Sequence, residues 1–118
     1  LGGFLLLVGD YRIGLEGDFK IGLNETAIGL SLPMFGLELV KNRLNPKYHT
    51  RSAINAELFS PNQATEVGFL DSATNEKDLM KEAYTVAERL KVLDRLAFKK
   101  TKTNLHFHYF QKCTVKLI

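Results

Sequence analysis

The residue best suited to catalysis in this sequence is Glu25, in the stretch FKIGLNETAIGL from Phe19 to Leu30. Apolar residues and glycines surround it, and a charge in such surroundings costs free energy unless it is paired, solvated or used. A carboxylate in a partly apolar cleft is also the usual form of a general base. From the residues alone two interpretations stay open: a solvated carboxylate in a turn at a strand end, and one wall of an active site.

The other residues that could do chemistry lie close to the C-terminus. His106 and His108 have the spacing of a two-residue chelate on a strand, but no further ligand follows, so we expect no metal site. Cys113 has no histidine or acid beside it and is expected to be inert. The lysines within residues 99–102 could meet a phosphate, although a solvated basic segment is the simpler interpretation.

Composition excludes several classes of protein. With 118 residues, 45% of them hydrophobic and 25% charged, the chain is one globular domain or part of one. Its longest apolar run, Phe4–Val8, is too short to span a bilayer. The single cysteine fits a reducing compartment, and we expect the cytoplasm.

The positive charge is confined to the end of the chain. The last twenty residues carry five of the 16 basic side chains and none of the 13 acidic ones. The remainder therefore has a net charge of −2, and no periodic basic face runs along it. We expect no nucleic-acid partner.

The first half of the chain reads as a helix, two strands and a second helix. Residues 1–9 predict a buried helix, with a buried strand as the alternative. Residues 10–23 alternate between apolar and polar types around a turn at Glu16–Asp18, which predicts two short strands. Pro33 begins a helical pattern that closes near Asn45.

The second half predicts three helices and a strand. Asn45 and Pro46 begin the first helix, and Ser60 with Gln63 forms a capping box for the second, which Gly68 ends. Residues 69–71 predict a strand. Asn75 caps a long amphipathic helix, whose apolar stripe we expect another part of the protein or a second subunit to cover. The stripe consists of Leu79, Ala83, Val86, Leu90 and Leu93.

This order of elements is that of an α/β domain. Residues 94–118 are expected to be a basic tail of uncertain structure. After Phe98 the helical periodicity weakens, and that part could be strand-like or disordered. The opening LGGFLLLVGD leads two glycines directly into an apolar segment. We therefore expect the chain to be a fragment of a longer protein.

Four motifs carry a resemblance to a known family: GDYRIG, FKIGLNETAIGL, LPMFGLELVKNRL and FSPNQATEVGFLD. In this order they closely resemble the second half of the crotonase, or enoyl-CoA hydratase/isomerase, superfamily, over residues 1–93. The IGLNE wording is especially similar to Δ3-Δ2-enoyl-CoA isomerases. The resemblance implies a partial ββα spiral, with C-terminal helices that assemble subunits into trimers or hexamers.

The resemblance also implies a site. Glu25 corresponds to the catalytic base of the isomerases, and backbone N–H groups at Leu1 and Gly2 correspond to part of an oxyanion hole. The substrate is an acyl-CoA thioester, so no separate cofactor is expected. The positions expected to line the substrate pocket are Phe4, Gly22, Gly29 and Pro33. Simpler interpretations are tight turns for the two glycines and a core position for Phe4.

One departure from the family pattern limits which of the family's reactions we expect. Hydratases of this family carry a second glutamate on the helix after the glycine-rich motif, and Phe4 takes that position here. Phenylalanine cannot hold or activate a water, whereas a double-bond shift needs only one base. We therefore expect an enoyl-CoA isomerase of fatty-acid β-oxidation. An enoyl-CoA hydratase, or an inactive fragment with a role in assembly alone, is the alternative, and the 118-residue chain by itself is expected to be inactive.

Overall fold

Helices and short strands alternate along residues 2–107, the part of the chain that this computed structural model describes. The first segment is a helix rather than the alternative strand. Within the described residues the elements are α1 (Gly2–Leu7), β1 (Ile13–Leu15), β2 (Ile21–Gly22), α2 (Met34–Arg43), β3 (Leu58–Phe59), α3 (Pro61–Val67), β4 (Ser72–Thr74), α4 (Glu76–Lys91) and α5 (Arg95–Leu105).

The four strands form two separate pairs. Strand β1 runs parallel to β4, with Ile13 opposite Ser72, and β2 runs antiparallel to β3, with Gly22 opposite Leu58. The two strands predicted around residues 16–18 are therefore present, but they do not pair with each other. Each strand pairs with one much further along the chain, about which a local pattern carries no information.

A partly buried ion pair ties the start of β1 to the segment after α3. The Arg12 side chain is 9% exposed, and its Nε lies 3.2 Å from Oδ2 of Asp71. The Arg12 backbone N–H also donates to that oxygen at 2.8 Å, and Nη1 donates to the Gly68 carbonyl at 3.0 Å. The arginine thus has several acceptors, which offsets its desolvation.

The predicted helix ends near residues 33, 60 and 68 are confirmed. Pro33 precedes α2, and Ser60 and Gln63 make the reciprocal bonds of a capping box at 3.2 and 3.0 Å. Gly68 ends α3 with φ of 110°, a conformation that residues with a side chain rarely adopt. A Cβ there would lie 2.8 Å from the carbonyl oxygen of Arg43, so the end of α3 packs directly on the end of α2.

Two sequence predictions in this region were wrong. The helix expected from Asn45 is a 3₁₀ turn (Pro46–Tyr48) followed by a short π-helix (Thr50–Ile54), although Asn45 does cap it. Ala56 then takes a positive φ of 52°, which breaks the helix before β3. The strand expected at 69–71 instead begins at Ser72, because the Leu70 N–H still bonds to the Ala64 carbonyl at the end of α3.

The last two helices differ in part from their predictions. Asn75 caps α4 as predicted, accepting a 2.9 Å bond from the Asp78 N–H. Helix α4 packs on β1, so Val86 in its apolar stripe is buried by the chain itself, whereas Leu93 stays 50% exposed. Residues 95–105 form α5, which corrects the expectation of a strand-like or disordered tail there; the rest of that tail, 108–118, lies outside the described residues.

The hydrophobic core consists mainly of side chains from α1, α2 and α3 and from the segment of residues 44–59. Ring contacts link it together: Phe59 lies 6.0 Å from Tyr48 and 6.3 Å from Phe69 between centroids. No helix among residues 2–107 is long and apolar enough to cross a membrane. The buried core residues are Phe4, Leu7, Leu23, Leu39, Val40, Leu44, Tyr48, Ala53, Phe59, Ala64, Val67, Phe69 and Leu70.

Candidate active site

Glu25 lies in the loop that follows β2, at the start of a 3₁₀ turn over Thr26–Ile28. Its own carbonyl accepts hydrogen bonds from the N–H groups of Ile28 at 3.1 Å and Leu30 at 2.8 Å. The Thr26 hydroxyl donates to the carbonyl of Ile54 at 2.8 Å, which fixes this loop to the π-helix. The backbone under Glu25 is therefore held by both local and long-range bonds.

The Glu25 side chain does not lie wholly in solvent. The residue is half-buried, and its Oε2 atom is buried. A half-buried carboxylate in a loop at a strand end is compatible with a general base, and this role for Glu25 stays a prediction.

Glycines let α1 approach the strand that leads to Glu25. A Cβ on Gly3 would lie 2.7 Å from the Gly22 carbonyl oxygen and 2.7 Å from the side chain of Leu23. A Cβ on Gly22 would lie 2.8 Å from the Glu57 carbonyl oxygen. The first turn of α1, β2 and β3 thus stack with almost no side-chain spacing, which brings the N-terminal end of α1 beside the segment that carries Glu25.

The remaining predicted site residues fall into different surroundings. Gly2 is exposed at the start of α1, and Leu1 lies outside the described residues. Phe4 is 6% exposed and packs on Phe35, with ring centroids 5.8 Å apart. The core position that we considered for Phe4 is therefore the one it occupies.

Gly22, Gly29 and Pro33 each have a structural reason for their residue type. Gly22 is required by the close approach of β3 described above. Gly29 ends the 3₁₀ turn with φ of 82°, and an added Cβ there would meet nothing within 4 Å. Pro33 is half-buried and its carbonyl accepts the first bond of α2, from the Leu37 N–H at 3.0 Å. Contact of these three residues with a substrate stays a prediction.

An exposed ion pair supports the segment against which β2 packs. Arg51 donates from Nε and Nη2 to the two carboxylate oxygens of Glu57, at 2.8 and 2.7 Å. These bonds lower the pKa of the Glu57 carboxyl and raise the pKa of Arg51. The guanidinium also lies over the Tyr48 ring, 4.8 Å from its centroid.

The candidate groups near the C-terminus are not at this site. His106 is 5% exposed and its Nδ1 lies 3.3 Å from Oδ1 of Asn42, while Lys102 forms an ion pair with Asp10 at 2.8 Å. His108 and Cys113 lie outside the described residues. Within residues 2–107 no three side chains of His, Cys, Asp and Glu come together as metal ligands would.

Comparison with known structures establishes the fold. The chain superposes on an enoyl-CoA hydratase/isomerase family protein from Pseudomonas syringae with a TM-score of 0.91 and 42% identity, over 97% of this chain and 50% of that one. It superposes on human mitochondrial Δ3-Δ2-enoyl-CoA isomerase with a TM-score of 0.87, over 93% of this chain and 43% of that one. At 24% identity the human likeness concerns the fold alone. The molecule is thus an α/β protein with part of a crotonase fold.

Sequence comparison then gives the family. The chain belongs to the enoyl-CoA hydratase/isomerase family, whose model matches residues 2–115. It is 32% identical over 87 residues to the mouse mitochondrial enoyl-CoA delta isomerase 1, covering 72% of this chain and 30% of that protein. The chain therefore spans about half the length of the first of these solved structures, and less than a third of the curated relative.

Proposed function

We propose that the protein to which this chain belongs shifts the double bond of an enoyl-CoA, with Glu25 as its single general base. The observation that supports this most directly is the half-buried Glu25 carboxylate in a loop that is hydrogen-bonded to Ile54 and packed, through Gly22, against the first turn of α1. The similarity to the mouse enoyl-CoA delta isomerase favours the same reaction.

The chemistry requires one proton acceptor and one oxyanion site. The Glu25 carboxylate removes a proton from C2 of a 3-enoyl thioester, and the electron pair delocalises onto the thioester oxygen as a dienolate. Backbone N–H groups at Leu1 and Gly2, with a further donor elsewhere in the protein, stabilise the negative charge. The Glu25 carboxyl then returns its proton to C4, which leaves the double bond between C2 and C3 and regenerates the base.

Phe4 favours isomerisation over hydration. A hydratase must hold and orient a water with a second carboxylate, and at that position Phe4 presents a ring buried against Phe35. The proposed reaction adds no water and needs no cofactor beyond the CoA of the substrate. Assembly into trimers or hexamers and a cytoplasmic location remain predictions from the sequence; the mouse relative is a mitochondrial protein.

The test is Glu25→Gln in the complete protein. Because general acid–base catalysis typically contributes about 10²–10⁴-fold, we expect kcat for 3-enoyl-CoA to fall by that factor with little change in the binding of the CoA ester. Glu66→Gln, on the exposed side of α3, is the matched control and is expected to leave kcat unchanged.

Two results would contradict the proposal. Undiminished isomerase turnover by the Glu25→Gln protein would exclude Glu25 as the base. Formation of 3-hydroxyacyl-CoA from 2-enoyl-CoA by the unmodified protein would favour the hydratase alternative.

A further inference from the structure

A cavity of about 480 Å³ lies between α5, the end of α4 and the C-terminal ends of α1 and α2. Its walls are largely apolar and include Leu90, Leu93 and Phe98. Arg43, at the end of α2, also lines it. A volume of this size is within the range of small-molecule sites.

This cavity is distinct from the Glu25 region. The first turn of α1 packs on Gly22 and, through Phe4, on Gly36 of α2. Arg43 follows Gly36 by seven residues, which is about 10 Å further along the axis of α2. Asp10, which also lines the cavity, follows the other end of α1. The cavity and the Glu25 loop therefore lie toward opposite ends of these two helices.

Arg43 presents an unused hydrogen-bonding edge. Its Nε and Nη2 atoms are buried and have no hydrogen-bond partner among the described residues. Leaving a charged donor desolvated and unpaired is costly, so such groups usually meet an anion. These two nitrogens form the edge of the guanidinium whose parallel N–H bonds match the two oxygens of a carboxylate.

The same chain uses this edge elsewhere in the way just described. Arg51 donates from its Nε and Nη2 to the two oxygens of Glu57 at 2.8 and 2.7 Å. For Arg43, no acidic residue of the described chain occupies that position.

The acidic groups around the cavity already have partners. Asp10 pairs with Lys102 at 2.8 Å, and Oδ1 of Asp94 accepts the Ala97 N–H at 2.8 Å to cap α5. Burial, with a further contribution from the positive charge of Arg43, lowers the pKa of His106. Lys102 acts in the same direction and Asp10 in the opposite one. Neither carboxylate is hydrogen-bonded to the Nε or Nη2 of Arg43.

We propose that this cavity binds a small amphipathic carboxylate, such as a free medium-chain fatty acid. The carboxylate lies on the Nε and Nη2 edge of Arg43, and the aliphatic chain runs along Leu90, Leu93 and Phe98. The site is separate from the proposed catalytic site, and binding to it needs neither a thioester nor Glu25.

The test is a calorimetric titration of the full 118-residue chain with sodium octanoate, followed by backbone NMR to locate the bound ligand. We expect saturable binding of one octanoate per chain, with amide shifts at Leu90, Leu93 and Thr101. 1-Octanol lacks the charge and is expected to bind at least about 10-fold more weakly, because it loses the charge-assisted bonds to Arg43. Acetate keeps the charge but lacks the chain, and is also expected to bind at least about 10-fold more weakly, because it buries little apolar surface.

Substitutions separate the role of Arg43 from general basicity. Arg43→Gln is expected to weaken octanoate binding at least about 10-fold. Arg43→Lys keeps the charge but loses the two-nitrogen edge, and is expected to weaken binding as well. Arg89→Gln is the control, because Arg89 is exposed on α4 with its guanidinium over the Tyr11 ring, 5.7 Å from the centroid. The Glu25→Gln protein is also expected to bind octanoate with unchanged affinity. The proposal for this site and the proposal for the catalytic site can therefore be contradicted independently.

Several outcomes would overturn the proposal. They are equal binding of octanol and octanoate, unchanged binding by both Arg43 variants, and amide shifts confined to residues 22–29. Absence of saturation up to about 10 mM octanoate would do so too, since that corresponds to less than about 3 kcal/mol of binding free energy. If sedimentation instead shows a dimer that octanoate does not dissociate and that protects these amides, a second chain fills the cavity and the proposal is wrong.

Discussion

At the scale of single residues, the contact between Gly3 and Gly22 is what brings α1 beside the Glu25 loop. A methyl group on Gly3 would lie 2.7 Å from the backbone oxygen of Gly22, and a backbone atom cannot rotate away as a side chain can. The position of α1 relative to the candidate base therefore depends on the absence of one side chain.

This contact gives a stability prediction with a control in the adjacent residue. We expect Gly3→Ala to lower the free energy of unfolding by about 1–3 kcal/mol, because α1 must shift outward. Gly2→Ala meets nothing within 4 Å, and the higher helix propensity of alanine makes a neutral or slightly stabilising effect the expectation. Urea unfolding followed by circular dichroism measures both. Equal stability of the two variants would contradict the packing described here.

Sequence reasoning selects residues whose type is unusual for their local pattern, and it selected Glu25 in this way; the role of Glu25 as a base is still a proposal. It did not find Arg43, because an arginine in the last turn of a helix normally interacts with solvent and the helix dipole. In the fold its Nε and Nη2 are nevertheless buried, and residues of α5 line the cavity at that end of α2. The sequence carries no strong signal for this burial. Had a further helix been predicted after Leu93, it would have indicated that another element covers the end of α2.

At the scale of elements, capping residues were the most reliable part of the sequence. The capping box of Ser60 and Gln63 and the end of α3 at Gly68 are local interactions among residues that are close in sequence. The residue types and their spacing therefore predict them. Strand pairing is not local. Ile13 opposite Ser72 and Gly22 opposite Leu58 join distant segments, and the predicted turn at 16–18 gave no indication of either partner.

The two glycines that end helical turns with positive φ allow strain and contact to be measured separately. Gly29→Ala places a side chain in the left-handed region but in open space, and we expect a loss of about 1 kcal/mol in unfolding free energy. Gly68→Ala adds a contact 2.8 Å from the Arg43 carbonyl oxygen, and we expect a loss of about 3 kcal/mol. Chemical denaturation compares them, and a larger loss for Gly29→Ala would refute this explanation.

Helix α5 is held against the body by groups that respond to pH. Burial is the main cause that lowers the pKa of His106 below its unfolded value of 6.5, followed by the charge of Arg43. As the pH falls below about 6.5 the unfolded chain takes up this proton first, so the stabilisation present above that pH is lost on acidification.

We therefore expect the unfolding free energy to fall as the pH is lowered from about 7.5 to about 5.5, with a slope from this residue of at most about 1.4 kcal/mol per pH unit. His106→Gln removes the proton-binding group, and its stability is expected to change less over the same interval. Urea titrations at several pH values measure both slopes. The same slope in the two proteins would show that another group is responsible.

At the scale of the whole molecule, the chain covers half of its first solved relative, and large apolar side chains remain on its surface. On α4, on α5 and between them, Met80, Tyr84, Val92 and Leu96 are between 59% and 79% exposed. Sequence periodicity predicted an apolar stripe on α4 that another part of the protein or a second subunit would cover. The chain itself buries Val86 from that stripe, and the assembly of subunits through these helices stays a prediction.

The 118-residue chain alone is expected to have no isomerase activity, because the further oxyanion donor that we propose lies elsewhere in the protein. A coupled assay with 3-enoyl-CoA, run on the chain and on the complete protein at equal molar concentration, measures this. Turnover by the chain alone would mean that Glu25 and the groups around α1 suffice, and that the second donor is not needed.

The parallel pairing of β1 with β4 also determines when this chain can fold during synthesis. Residues 13–15 cannot pair until residues 72–74 have been synthesised. Closing so long a loop carries an entropic cost before any hydrogen bond between the two strands forms. On the ribosome, α1 and β1 therefore emerge well before the partner that secures them, with Phe4 and Leu7 uncovered until the later helices arrive. We expect this interval to be the period in which the nascent polypeptide most needs a chaperone that binds apolar segments.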